Sequence, residues 1–229
     1  MLDTHYTWSY SSINQFVTCP RLYEASRVTK ILPYTETPAI KYGKELHSAA
    51  ELYVSKENPL PSQYAFIKSY LDKLKQIKGD KYCELKLGLA IREGKFVACD
   101  FFAADVYFRG VADLVIIDDD RAFVVDYKTG KSAEYSDDKQ LALLAAAIFA
   151  HFPQVKKVKG MLLFVIAKQV VQSEYVQPHR NDIFAKLSED LRRRETAHKT
   201  GVFNPKQNGL CRAYCGVTSC QHNGNYSGD

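Results

Sequence analysis

Two carboxylates and a lysine stand where a folding chain would be expected to place core residues. The stretch "GVADLVIIDDDRAFVVDYKTGK", residues 110–131, has two apolar runs on either side of an acidic turn. The first run carries Asp113, and the second carries Asp126 and Lys128. Because side chains alternate between the faces of a strand, Asp126 and Lys128 share one face, about 7 Å apart along the strand.

The acidic turn predicts how the two runs pair. A hairpin centred between Asp119 and Asp120 places Asp113 directly opposite Asp126, with Cβ atoms about 5 Å apart. A longer loop over residues 118–121 keeps the same register. By alternation, Asp113 also shares its face with the valines two residues before and after it.

Paired acids on one face of a sheet need compensation, because like charges repel and buried charges are costly. One remedy is to protonate one acid. Another is a divalent cation, since carboxylate oxygens suit Mg²⁺ or Mn²⁺. Lys128 beside them would then stabilise developing negative charge or orient a water, a combination suited to phosphoester hydrolysis. The alternative is a half-exposed sheet on which the acids are solvated and Lys128 is a salt-bridge partner.

Composition is that of an ordinary globular protein. The 229 residues are 46% hydrophobic and 25% charged, and the net charge of +5 permits an anionic partner without requiring one. The start shows no secretory signal, and the longest apolar run, "LALLAAAIFA", is too short to span a bilayer. We therefore expect a cytoplasmic protein whose six cysteines are reduced, so that a cysteine cluster indicates metal binding before disulfides.

Hydrophobic periodicity predicts helices first, then strands, a crossover helix, two more strands and a late helix. The first helix is expected to begin at Ser11 or Ser12, and Pro20 to break it or to start a second one. This order predicts an α/β or α+β fold with a central mixed sheet flanked by helices. We expect one domain over residues 1–229, with a helical part (1–79), a sheet core with its crossover helix (80–178), and a late helix with a cysteine-rich tail (179–229).

The central stretch resembles the PD-(D/E)XK nuclease superfamily. "RGVADLVIIDDDRAFVVDYKTGKS" is similar to the G-x-x-D, hairpin, D-Y-K-T-G motif of its RecB-type branch, which includes CRISPR-adaptation exonucleases and many phage exonucleases. The resemblance implies a restriction-endonuclease-like core. It also implies metal ligation by Asp113, Asp126 and the backbone carbonyl of Tyr127, with Lys128 as a catalytic residue.

Three accessory positions extend the resemblance. "YGKELHSAAE" is similar to the branch's G-x-x-x-H motif, which implies that His47 is a metal ligand; an imidazole ligand favours Mn²⁺ over Mg²⁺. Glu84, at the start of a predicted strand, is either a further ligand or simply exposed. Gln140 resembles the glutamine of a Q-x-x-x-Y motif that lies beside DNA, although Leu144 occupies the aromatic position.

One early and three late cysteines form the other pattern. Cys19, Cys211, Cys215 and Cys220 resemble the iron–sulfur arrangement of CRISPR-adaptation and AddB-type nucleases, which implies a [4Fe–4S] cluster. The late spacing, C-x₃-C-x₄-C, departs from the C-x₂-C-x₅-C of those families. A zinc site of the three late cysteines with His222 is the alternative, as is no metal at all.

These patterns together predict a stand-alone, divalent-metal-dependent DNA exonuclease. Its partner would be DNA, as single strands or duplex ends, with a recombination protein as a further partner and no membrane; the sequence does not predict an oligomeric state. The compact form resembles a phage enzyme for recombination, replication or host-DNA degradation in the bacterial cytoplasm. The alternatives are a non-catalytic DNA-end-binding module of the same fold, an endonuclease, or a nuclease acting on RNA.

Overall fold

The computed structural model describes residues 6–134 and 136–226. Residues 1–5, on which the expectation about a secretory signal partly depends, lie outside that range. The described chain forms two compact units. The first, called here the sheet unit, contains Thr37–Ala185 and the residues before Trp8. The second, the cysteine unit, contains Trp8–Glu36 and the chain after Ala185.

The described residues form seven α-helices and six strands. In the sheet unit these are α3 (Pro38–Lys56), α4 (Lys68–Gln76), β1 (Asp80–Arg92), β2 (Lys95–Cys99), β3 (Val106–Asp118), β4 (Arg121–Lys128), α5 (Lys139–His151), β5 (Lys157–Phe164), β6 (Gln169–Val176) and α6 (Arg180–Ala185). In the cysteine unit they are α1 (Tyr10–Thr18), α2 (Pro20–Tyr23) and α7 (Ser188–Thr200). Short 3₁₀ segments precede α4 and α6, and a π-helical turn, Glu24–Val28, follows α2.

The six strands form one mixed sheet, which confirms the predicted fold class. Their order is β2-β1-β3-β4-β5-β6. All neighbours are antiparallel except β4 and β5, and α5 provides the crossover that a parallel pair needs. The β3–β4 hairpin has the predicted register: Asp118 pairs with Arg121 and Leu114 with Val125.

Helices cover both faces of the sheet. On one face, called here the α3 face, helices α3 and α4 pack with strand residues in a buried core. The strand members of that core are Leu114, Ile116, Val125, Tyr127, Leu163 and the following Val165. Helix α5 covers the opposite face, called here the α5 face. There Leu141 packs so closely on Gly160 that an added Cβ would lie 3.1 Å from its side chain.

Along strands β1 and β3, the regular alternation of side chains between the two faces of the sheet is broken once. Gly110 faces Leu144 of α5, whereas Leu114 faces α3. Under regular alternation, these two residues, an even number of positions apart, would lie on the same face. The break in alternation lies at Glu84 on β1 and at Asp113 on β3. Glu84 has a left-handed backbone with φ of 50°, and the β1–β3 residue pairs before and after it keep the same register. The predicted alternation, with Asp113 on the same face as both neighbouring valines, is therefore wrong. An irregular step places Asp113 where the faces exchange.

The cysteine unit differs from the sequence prediction at its helix ends. Helix α1 is capped by Ser9, whose hydroxyl accepts from the Ser12 backbone in a reciprocal capping box, so neither Ser11 nor Ser12 is the cap. Pro20 starts α2, as one of the two predicted possibilities had it. The single late helix that was predicted is two helices, α6 and α7.

None of the described helices is both long and apolar enough to cross a bilayer.

Candidate active site

Helix α3 places His47 next to Asp113, where the side-chain alternation of β3 is broken. The Nδ1 atom of His47 lies 3.1 Å from Oδ1 of Asp113, and its ring packs edge-on against Tyr127 at 5.9 Å. The other oxygen of Asp113 accepts a hydrogen bond of 2.7 Å from the Tyr127 backbone N–H. Both oxygens of Asp113 are thus held in place. Gly43, one turn before His47, lets α3 approach Thr129, whose hydroxyl would lie 3.4 Å from an added Cβ.

Glu84 completes a group of three. One potential ligand atom from each of His47, Glu84 and Asp113 lies within 4.8 Å of the other two, and all three residues are half-buried. Octahedral ligands about 2.1 Å from one ion are separated by roughly 3 to 4 Å, so the group is close to the spacing that Mg²⁺ or Mn²⁺ requires. Glu84 reaches this position because of the left-handed backbone that sequence periodicity does not reveal.

Asp126, Lys128 and Gln140 form a second group beside the first. Asp126 is only 4% exposed, and Lys128 Nζ lies 2.6 Å from its Oδ2. Gln140, at the start of α5, donates its amide to Asp126 Oδ1 at 2.6 Å and accepts from Lys128 Nζ at 2.9 Å. Gln140 therefore holds the two charged groups against each other from the α5 face.

Leu144 occupies the position at which the related motif has an aromatic residue. Leu144 is buried against Gly110, where an added Cβ would lie 2.9 Å from its side chain. Gln140 keeps its place without the aromatic partner.

Burial and like charge raise the pKa values of two acids. Burial and, after it, the charge of Asp113 raise the pKa of Asp126 to about 6, although Lys128 partly offsets both. Burial raises the pKa of Glu84 as well, followed by the charges of Asp113 and Glu51. Both shifts express the cost of burying carboxylates and of placing them near one another.

The pKa of His47 shifts in the direction opposite to the one that its burial alone would produce. Desolvation alone would lower its pKa, but the hydrogen bond and charge of Asp113 outweigh it, with help from Asp126 and the Tyr127 backbone. The pKa of His47 is therefore raised. A cationic imidazole here partly neutralises the acids, a role that a metal ion would take over more completely.

The residues present fit a divalent cation. The donor set of one imidazole and two carboxylates suits Mn²⁺ and Mg²⁺. The buried Oδ2 of Asp126 has no donor among the described residues other than the Lys128 ammonium group, which lies 2.6 Å away. A cation that took this oxygen as a further ligand would share it with Lys128.

The hairpin ladder stops short of the two aspartates. Its last pair is Leu114 with Val125, and the next position is occupied by the hydrogen bond from Tyr127 N–H to the Asp113 side chain. The register is as predicted. The expected face-to-face pair of Asp113 and Asp126 is replaced by an arrangement in which Asp113 turns toward His47.

The four cysteines of the predicted cluster line one small cavity in the cysteine unit, together with His222. The cavity includes Cys19, Cys211, Cys215, Cys220 and His222. Backbone N–H groups lie 3.5 Å from the Cys19 sulfur and 3.4 Å from the Cys211 sulfur. Within residues 6–134 and 136–226, no three potential ligand atoms of this group lie within 4.8 Å of one another.

Comparisons with known proteins agree with the geometry. The PD-(D/E)XK nuclease superfamily matches residues 7–221, and no curated protein matches the chain. The crystal structure of SSO0001 is 15% identical, covers 96% of this chain and 88% of its own, and gives a TM-score of 0.48. A crystal structure from Eubacterium rectale, described as a candidate exonuclease, is 11% identical, covers 90% and 86%, and gives a TM-score of 0.50. At 11% identity, the Eubacterium rectale structure shows a shared fold alone.

A mixed sheet whose central strands present clustered acids and a lysine beside a helical histidine is the architecture of a metal-dependent nuclease. The family match spans nearly all of the sequence. The chain belongs to the PD-(D/E)XK nuclease superfamily, which implies a metal-dependent hydrolase that acts on nucleic acid.

Proposed function

We propose that this protein is a divalent-metal-dependent DNA exonuclease. The observation that carries the proposal is the convergence of His47, Glu84 and Asp113 within 4.8 Å, with the Asp126–Lys128 pair beside them. Within the superfamily, the exonuclease resemblance of the central motif favours action at DNA ends. The described relative from Eubacterium rectale is consistent with it.

His47, Glu84 and Asp113 would hold the cation, with Asp126 Oδ2 and the Tyr127 carbonyl as further ligands. A bound divalent ion would lower the pKa of a coordinated water and neutralise charge on the phosphate. Asp113 is oriented for ligation because the Tyr127 N–H and His47 fix both of its oxygens.

Lys128 would act on the reacting phosphate. Its side chain is one-third exposed, and its Nζ donates a hydrogen bond to Gln140 Oε1 at 2.9 Å, so the ammonium group is positioned while the side chain is not fully buried. From there it can orient the attacking water or stabilise charge that develops on the phosphate. Gln140 fixes the positions of Lys128 and Asp126 through its two hydrogen bonds, so it is a positioning residue.

In the cysteine unit we propose a [4Fe–4S] cluster bound by Cys19, Cys211, Cys215 and Cys220. The shared cavity and the N–H groups directed at two of the sulfurs support it, since such hydrogen bonds are typical of cluster thiolates. Sulfur ligands of one zinc ion lie about 3.8 Å apart. Among the described residues, no three sulfur or imidazole ligand atoms of this group lie within 4.8 Å of one another, so the proposal rests on the sequence resemblance and the shared cavity.

The test is activity on matched linear and circular DNA, single- and double-stranded, with Mn²⁺ or Mg²⁺. Degradation of linear DNA alone is expected. Cutting of circles would make the protein an endonuclease, and cutting of RNA alone would change the substrate. No hydrolysis by metal-loaded protein would favour a DNA-end-binding module. A phage origin, a recombination partner and action in the bacterial cytoplasm stay predictions from the sequence.

A further inference from the structure

Two basic and two aromatic side chains gather on the sheet beside the candidate site. They are Lys86 on β1, Arg109 on β3, and Phe101 and Phe102 in the turn between β2 and β3. We call them the basic–aromatic track. Nothing in the proposed chemistry uses them, and their contacts and exposure are unusual for a structural cluster.

The track continues directly from the metal-ligand group. Lys86 follows Glu84 by two residues on β1. Arg109 precedes Asp113 by four residues on β3, which is about 13 Å along the strand. Arg109 pairs with Gly88, so the two basic residues stand on neighbouring strands.

Both basic side chains lie on the α3 face, the face from which His47 enters the site. Gly110 faces Leu144 of α5, and side chains alternate, so Arg109 lies on the opposite face. Lys86 is level with Val111 across the β1–β3 ladder and shares the face of Arg109. The track and the His47–Glu84–Asp113 group therefore lie on the same side of the sheet, whereas Asp126 and Lys128 face α5.

Contacts join the four residues into one surface. Lys86 Nζ lies 6.0 Å and 5.4 Å from the ring centres of Phe101 and Phe102. The Arg109 guanidinium lies 5.4 Å and 5.9 Å from the same rings. Phe102 is nevertheless 69% exposed, which leaves much of its ring available to a ligand.

Among the residues that the structure describes, no ion pair neutralises the charges of the track. Among the described residues, neither Lys86 nor Arg109 has a carboxylate oxygen within 4.0 Å, and the buried Nε of Arg109 makes no hydrogen bond. The nearby acid Asp100 instead accepts from the Phe102 N–H at 2.7 Å, which fixes the turn. A polyanion with flat rings would complement this surface.

We propose that the basic–aromatic track binds a single DNA strand that extends from the metal site, with Lys86 and Arg109 on phosphates and Phe102 stacked on an unpaired base. The proposal rests on the proposed nuclease function and names the form of DNA that the site receives. A paired duplex keeps its bases stacked on each other, whereas an unpaired base can stack on an exposed phenyl ring.

The two kinds of contact predict different signatures. Stacking contributes about 1–3 kcal/mol per base, so Phe102→Ala should weaken single-strand binding by roughly tenfold without changing its salt dependence. Each phosphate contact on a single strand contributes about 0.7 to the slope of log K against log salt. Lys86→Gln should therefore reduce that slope by about 0.7.

The experiment measures fluorescence anisotropy of labelled oligothymidylate at several salt concentrations. The Lys128→Ala background with Ca²⁺ is used so that the strand stays intact. Phe66→Ala removes another exposed phenyl ring, and Lys157→Gln removes another exposed lysine of the sheet unit. Both controls should bind like the parent protein.

The outcomes separate the track from the activity. Loss of affinity in Phe102→Ala and a smaller slope in Lys86→Gln support the track; values equal to the two controls overturn it. Equal weakening for a blunt duplex would also overturn it, because stacking on an unpaired base would not be the cause. Wild-type protein is assayed in parallel on bis(p-nitrophenyl) phosphate with Mn²⁺. Absence of that hydrolysis is a failure of the proposed function, whatever the binding result.

Discussion

The Asp113 side chain replaces a backbone group as the partner of Tyr127. Its Oδ2 accepts the Tyr127 N–H at 2.7 Å at the position where the β3–β4 ladder has ended. Strand pairing is thus interrupted at the same place where Glu84 adopts a left-handed backbone. The interruption releases Glu84 and Asp113 from ordinary alternation and lets them converge with His47.

Removing Glu84's charge should affect the apo and metal-loaded forms in opposite directions. In Glu84→Gln the apo protein should melt at a higher temperature, because burial and like charges raise the pKa of Glu84 and thus oppose its ionised form. The stabilisation produced by Mn²⁺ should shrink, because a ligand is lost. Thermal unfolding with and without Mn²⁺ measures both effects.

Glu51→Gln is the matched control, since Glu51 is a nearby acid outside the group of three. It should retain the full response to Mn²⁺. An equal response to Mn²⁺ in Glu84→Gln and wild-type protein would remove Glu84 from the ligand set.

Gln140→Leu should slow hydrolysis by about 10- to 100-fold, the range seen when groups that orient metal ligands are lost. The amide favours the ionised form of Asp126, whose pKa is already raised to about 6 by burial and Asp113. Without the amide that pKa rises further, so the acidic limb of the rate–pH profile should move to higher pH. Gln172→Leu, at an exposed position of β6, is the control. A lower rate with an unmoved acidic limb would contradict the positioning role.

Cys19→Ser and Cys211→Ser should each lose most of their iron if the cavity in the cysteine unit holds the cluster. Anaerobically purified wild-type protein should contain about four iron and four sulfide per chain. Cys83 and Cys99 lie in the sheet unit, so their serine variants should keep that content. Stoichiometric zinc without iron would refute the cluster.

How much the sequence predicted depended on whether the signal was local. The turn at Asp119 and Asp120 predicted the β3–β4 register correctly. The β1–β2 hairpin was missed, because Glu93 occupies a left-handed turn position where Asn or Asp would be the usual indicator before Gly94.

The candidate site could be predicted only in part. Asp113, Asp126 and Lys128 stand out as charges in apolar runs, and His47 and Gln140 were found through the family resemblance. The convergence of Glu84 depends on a face exchange shared by two strands. Such an exchange arises from tertiary pairing, and the alternation of residues along one strand does not indicate it.

His198 should make the protein lose stability in mild acid. Burial and the neighbouring Arg194 lower the pKa of His198 to about 4, below its ordinary value of 6.5. Between about pH 6.5 and pH 4, the unfolded chain therefore binds a proton at His198 that the folded protein does not bind. The free energy of unfolding falls as the pH drops through this range. Because the ring is partly exposed, the loss should be about 1 kcal/mol.

His198→Gln should lack that part of the acid sensitivity, at some cost from the lost hydrogen bond with Tyr23. Urea unfolding across this pH window measures the difference. The exposed His179→Gln variant should follow wild-type protein throughout. Parallel pH curves for His198→Gln and wild-type protein would contradict the prediction.

The central claim is that Lys128 and the clustered acids hydrolyse DNA with a divalent cation. The most direct measurement is the Mn²⁺-dependent rate of hydrolysis of linear DNA by wild-type, Lys128→Ala and Lys157→Ala proteins, with DNA binding measured alongside. We expect Lys128→Ala to lose at least about 10²–10³-fold in rate while still binding DNA, and Lys157→Ala to match wild-type protein. Undiminished hydrolysis by Lys128→Ala would contradict the assignment of the active site.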